Sequence, residues 1–136
     1  MYDHILIPVD FDHEEMSKTA QDVAAKLLNE QGKITLLHVV GSIPNFVAQE
    51  IPPAVLEDRR TAVHDGLRSI SKNIGANCET QIREGNAQRE ILNFIEEDNV
   101  DCVIIASHKP GLQDYFLGST AARVVRHAPC PVHVLR

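Results

Sequence analysis

Gly118-Ser119-Thr120 carries the clearest chemistry in the chain. It follows an unbroken apolar run, Cys102-Val103-Ile104-Ile105-Ala106, and a polar, turn-forming segment, Ser107-His108-Lys109-Pro110-Gly111. Behind it Ala121, Ala122, Val124 and Val125 recur at helical spacing. A strand, a glycine-containing loop and Gly-Ser-Thr at a helix start gather backbone N–H groups around an anion. The first amides of a helix lack partners, its dipole presents a positive end, and glycine lets a phosphate come close. We read the stretch from Cys102 through Gly118-Ser119-Thr120 as a phosphate-binding strand–loop–helix, with Gly118, Ser119 and Thr120 offering amides and hydroxyls to phosphate. A plain Ser or Thr cap is the alternative. Lys109 either neutralises phosphate directly or stands solvated, as most lysines do. Asp10, just beyond an N-terminal strand, suits the paired hydroxyls of a ribose, or else caps the helix that follows.

The elements that must position these residues follow from periodicity. Ile5, Leu6 and Ile7 predict a strand over His4 to Val9, with Pro8 ending its ladder for want of an N–H. The acids Asp12, Glu14 and Glu15 fit the first turn of a helix whose stripe is Ala20, Val23, Ala24, Leu27 and Leu28. That helix is expected to reach about Asn29, with Gly32 closing it before a strand over Ile34 to Val40. Gly41 to Pro53 is irregular, and a long loop in a small domain tends to be functional or mobile. Pro53 suits a helix start; Leu56, Val63, Leu67, Ile70 and Ile74 share one face up to Gly75. Cys78 to Glu84 alternates as a strand, Asn86 suits an N-cap, and helix 87–98 turns Ile91, Leu92 and Ile95 inward. A last strand, Val132 to Leu135, follows Pro129 and Pro131. The alternation β-α-β-α-β-α-β-α-β predicts an α/β fold, a parallel sheet with helices on both faces.

Composition narrows the classes. At 136 residues the chain is expected to be one domain, residues 1–136, with 43% hydrophobic and 24% charged residues. A net charge of −6 disfavours a general nucleic-acid binder, which needs a basic face. No stretch is long and apolar enough to span a bilayer, so no membrane partner is expected. Cys78, Cys102 and Cys130 are odd in number and lack a CxxC pair, which suits a reducing cytoplasm. The seven histidines show neither HxH nor HExxH spacing, so no metal site is expected. His127 reads as structural, His38 as a satisfied interior or cleft-edge residue, and Asp98 and Asp101 as solvated strand-boundary residues. No nucleophile–base–orienter set is legible, so no catalytic residue is assigned.

The stretch Ala106 to Arg136, with Arg126-His127-Ala128-Pro129-Cys130-Pro131-Val132 within it, resembles the C-terminal signature of universal stress proteins. Ile5-Leu6-Ile7-Pro8-Val9-Asp10 and Leu36-Leu37-His38-Val39 resemble the family's first two strands. Ala106 and Lys109 stand where the family's loop has glycines, and the spacing to Gly118 is one residue short. Ser-His-basic-Pro here is similar to the single-domain bacterial branch named UspF and UspG, whose members bind ATP despite the altered loop. The resemblance implies a five-stranded, Rossmann-like parallel sheet in the order 3-2-1-4-5. Ligands of such sheets lie beyond the carboxyl ends of the strands at the switch point, here strands 1 and 4. It also implies that Asp10 contacts ribose, that Pro8, Val9 and Val39 flank adenine, and that Ala106, Ser107, His108 and Lys109 line the phosphate loop. ATP, or AMP or ADP, with Mg²⁺ bridging the phosphates, is the implied cofactor. Antiparallel pairing of strand 132–135 across a two-fold axis implies a homodimer. Three functions stay open: an adenine-nucleotide-dependent stress sensor or regulator, a dimeric interaction module without nucleotide, and a slow ATPase or self-phosphorylating protein using Ser119 or Thr120.

Overall fold

Strand β1 (Tyr2–Pro8) is buried along Ile5, Leu6 and Ile7 because it runs down the middle of the sheet. The structure is a computed structural model that describes residues 1–11, 14–75, 77–107 and 117–136. Strands β2 (Leu28–Val40), β3 (Cys78–Glu84), β4 (Cys102–Ala106) and β5 (Val132–Leu135) complete a parallel sheet in the order β3-β2-β1-β4-β5. The helices are α1 (Glu14–Leu27), α2 (Asn45–Ala48), α3 (Pro53–Ile74), α4 (Ala87–Glu97) and α5 (Ser119–His127).

Alternation along each central strand divides the core in two. Ile5, Ile7, Ile34, Leu36 and Ile104 meet Ala20 and Ala24 of α1 and Leu67 of α3. Leu6, Leu37, Val103 and Ile105 meet Ile91, Phe94 and Ile95 of α4 and Ala121 and Val124 of α5. Cover on both faces is why these strands read as unbroken apolar runs. The chain steps from β1 to β2 to β3 in one direction, returns through α4, and steps from β4 to β5 in the other. The doubly wound order expected from the resemblance is therefore present.

Several ends lie where the sequence places them. Pro53 opens α3, Gly75 closes it at φ 65°, and the Asn86 side chain accepts the Arg89 N–H at 3.0 Å. The end of α1 is different. It stops at Leu27, and residues 28–32 already belong to β2, whose extra residues bulge where the register with β1 passes from Tyr2–Leu28 to His4–Lys33. The cause is tertiary: Asn29 donates to the Asp3 carboxylate at 2.6 Å and accepts from the Met1 amine. Gly32 is thus a close-packed bulge residue, where a Cβ would lie 2.6 Å from the Leu28 side chain. Within the irregular stretch 41–53, α2 forms one short turn with no buried residue.

Asp101 is more than a solvated boundary residue, whereas the Asp98 side chain is exposed as expected and only its backbone carbonyl is engaged. The Asp101 carboxylate accepts the N–H groups of Asp3 and His4, each at 2.9 Å. The buried His4 ring bonds the Asp98 carbonyl through Nδ1 at 3.0 Å and Thr35 Oγ1 through Nε2 at 2.8 Å. A carbonyl only accepts, so Nδ1 carries the hydrogen and Nε2 of the neutral ring accepts from Thr35. Burial holds the His4 pKa below its ordinary 6.5, with Lys33 acting the same way; the Asp98 hydrogen bond and the Asp98 and Glu79 charges oppose them. A lowered folded pKa means that the unfolded chain takes the proton more readily. The stability this provides is complete above about pH 6.5 and is lost as pH falls below it. His4→Asn, which keeps a donor for the Asp98 carbonyl, should therefore show a shallower fall in Tm than wild type between about pH 7 and about pH 5. Parallel melting profiles for the two proteins would contradict this account.

Candidate functional site

A crevice between β1 and β4 follows from one residue, Pro8. The Asp101 N–H donates to the His4 carbonyl, so His4, Leu6 and Pro8 turn their backbone groups toward β4. The Val9 N–H donates to the Leu37 carbonyl at 2.8 Å, so Val9 turns toward β2. Pro8 pairs with Leu37 on the β2 side but has no N–H to offer β4. The β1–β4 register accordingly ends at Leu6–Val103, while β1 stays joined to β2 past Pro8. Proline ends the ladder on one side only, the side where the sheet reverses its winding.

Counting on from that register sets Asp10 level with Ser107 across the gap. Asp10 is exposed, Val9 buried, and Pro8, Val39 and Ala106 partly buried at the same carboxyl ends of β1, β2 and β4. Ser107 is fully buried. Its N–H donates to the Leu135 carbonyl at 2.8 Å, and its carbonyl accepts the Gly118 N–H. Those bonds fasten the start of α5 to the end of β4. Gly118 is the N-cap, and its carbonyl accepts from Ala122 at 2.8 Å. Ser119, exposed, and Thr120, partly buried, therefore open the helix rather than cap it. First-turn N–H groups, here of Ser119, Thr120 and Ala121, have no acceptor within a helix. His108 and Lys109 lie outside the described residues. The remaining nine candidates, Pro8, Val9, Asp10, Val39, Ala106, Ser107, Gly118, Ser119 and Thr120, gather on one rim.

His38 is the satisfied cleft-edge residue expected from the sequence, whereas two further residues of the rim's support, Phe11 and Gly66, escape sequence reasoning. His38 Nδ1 lies 2.8 Å from the Val9 carbonyl, and Phe11 packs on the His38 ring with centroids 4.8 Å apart. A Cβ on Gly66 of α3 would meet the Phe11 ring at 2.6 Å, so glycine is what admits the ring there. The only sequence signal was an aromatic residue just past a strand end.

The three thiols are held in their unreactive form. Burial raises the thiol pKa of Cys102 to about 11 and raises those of Cys78 and Cys130, which keeps all three protonated at neutral pH. Among the described residues no cluster of three metal-ligating side chains occurs, and no helix is long and apolar enough to cross a membrane.

Known proteins share this arrangement. The whole chain, residues 1–136, matches the Universal stress protein family. It belongs to that family. Universal stress protein G of Salmonella typhimurium is 30% identical over 142 residues, a span covering 100% of both chains. The universal stress protein UspA of Lactobacillus plantarum superposes with a TM-score of 0.80 at 23% identity, over 99% of this chain and 98% of that one. A universal stress protein family member of Arabidopsis thaliana, solved with AMP bound, superposes with a TM-score of 0.63 at 23% identity, over 97% of this chain and 90% of its own. The five-stranded order expected for a universal stress protein is the one observed.

Proposed function

We propose that this universal stress protein binds an adenine nucleotide in the β1–β4 crevice and acts as a nucleotide-dependent sensor or regulator of stress response. The observation that carries the proposal is the joint placement of two features. Pro8 opens the sheet at its switch point, and the Ser107–Gly118 bond holds the first amides of α5 at the same rim. One half of such a site suits a nucleoside and the other suits its phosphates. Asp10 takes the ribose hydroxyls, while Pro8, Val9 and Val39 flank the adenine. Gly118, Ser119 and Thr120 hold the phosphates, Ala106, Ser107, His108 and Lys109 are assigned to the same phosphate half, and Mg²⁺ would neutralise phosphate charge of a bound ATP. The AMP in the Arabidopsis relative supports the same ligand class. The edge position of β5 supports a homodimer formed by strand pairing between two copies. Three free cysteines fit a reducing cytoplasm.

Asp10→Ala tests the nucleoside half. Hydrogen bonds to a charged group contribute about 1.5–3 kcal/mol, so ATP affinity should fall about tenfold to a hundredfold with Tm nearly unchanged. Calorimetric titration of folded protein reads this directly, and unaltered affinity would remove the ribose role. A second reading, a partner-binding module of the same fold, has one observation in its favour. Phe46 on α2 is 73% exposed, with Val47 and Val55 exposed nearby in sequence. Loss of all nucleotide binding would leave that reading standing.

A further inference from the structure

We infer that His38 is a positioning residue for the nucleoside half of the site, acting through the Val9 carbonyl on Asp10; this rests on the nucleotide reading above. In a continued parallel ladder the Val9 carbonyl would next accept the N–H of Val39, just as the Leu37 carbonyl accepts that of Val9. It accepts instead from the His38 side chain, at 2.8 Å. The acceptor is a carbonyl, so Nδ1 bears the hydrogen in either charge state of the ring, and the bond fixes the plane of the peptide that leads into Asp10. The ring itself is held. Phe11, the residue after Asp10, lies against it with an interplanar angle of 56°, and Phe11 is in turn seated on Gly66 of α3. His38 and Phe11 thus grip the Val9–Asp10–Phe11 turn from both ends. β1 is released from the ladder at the point where a carboxylate must face a ligand rather than a neighbouring strand. None of these groups needs to touch the nucleotide.

The test compares His38→Leu with His38→Asn, whose amide nitrogen stands close to where Nδ1 stood. Each is titrated with ATP and with 2′,3′-dideoxy-ATP, which lacks the hydroxyls that Asp10 would hold. His38→Leu should bind ATP about tenfold more weakly, the share of one charge-group hydrogen bond, and His38→Asn should recover most of that loss. With the dideoxy nucleotide the Leu variant should differ from wild type by less than about threefold, because the contact that His38 organises is already missing. Equal losses for Leu and Asn, or equal losses with both nucleotides, would reduce His38 to packing and overturn the inference. Should His38→Leu not fold, His38→Gln replaces it, since its amide sits one methylene too far and should also bind ATP more weakly than His38→Asn. Failure of wild type to bind ATP would overturn the nucleotide reading and this inference together. ATP binding by wild type and by every variant with equal affinity would overturn the inference alone.

Discussion

Gly118→Val is expected to weaken ATP binding by at least about a hundredfold while the protein stays folded. The backbone at Gly118 has φ −54° and ψ 153°, a conformation open to any residue, so valine adds no backbone strain. Valine is a poor N-cap, but glycine is itself only a fair one, and the stability cost should stay near 1 kcal/mol. The cost to the ligand is greater. Phosphate oxygens must come within about 3 Å of the first amides of α5, and a branched side chain at the cap occupies that approach. Losing two charge-assisted hydrogen bonds removes about 3–6 kcal/mol. Gly118→Ser, small and a good cap, should retain most of the affinity. Paired titration and melting of the two variants checks this, and wild-type affinity in the valine variant would displace the phosphate from α5.

Phe94→Ala is expected to cost about 3–5 kcal/mol of folding stability. Phe94 is 2% exposed and is packed in the cluster that joins α4 and α5 to the sheet. Its ring also meets the edge of His4, centroids 6.3 Å apart, and the Arg83 guanidinium lies 4.9 Å from its centroid. Arg83 is held by Glu97 at 2.6 Å, with Glu90 at 3.8 Å. Alanine would remove the ring's transfer free energy, leave a cavity, and open the buried His4 to water. Domains are stable by only about 5–15 kcal/mol, so the variant should unfold at markedly lower urea concentration. Phe94 lies toward the end of α4 that packs on His4, at the amino end of β1, away from the crevice. Nucleotide affinity of the folded fraction should therefore hold. A stability loss under about 1 kcal/mol would contradict the packing account.

Much of this architecture is legible in the residues because most of the elements are governed locally. Apolar runs such as Cys102 to Ala106 name strands covered on both faces, and Asn86, Pro53 and Gly75 name helix ends through their own backbone chemistry. The start of β2 is not legible. Helical periodicity carries through Leu28, and the pairing of Leu28 with Tyr2 together with the Asn29 contacts with Asp3 and Met1, all brought near by the fold, makes the segment a strand. Asp101 reads as solvated for the same reason, since its partners on β1 lie far away in sequence. The candidate site divides along the same line. Asp10 and Gly118-Ser119-Thr120 are recognisable from residue type beside strand and helix ends. That Pro8 breaks the ladder toward β4 and not toward β2 depends on which strands flank it. The grip of His38, Phe11 and Gly66 on the Val9–Asp10 turn joins three segments that no spacing rule connects.

The central claim is that the crevice holds an adenine nucleotide, and its most direct test is a calorimetric titration of ATP into protein freed of bound small molecules, with and without Mg²⁺. The account predicts saturable binding at one site per chain with a micromolar-range Kd, roughly −8 kcal/mol, strengthened by Mg²⁺. Absence of binding up to millimolar ATP, with no nucleotide released from the freshly purified protein on denaturation, would contradict it.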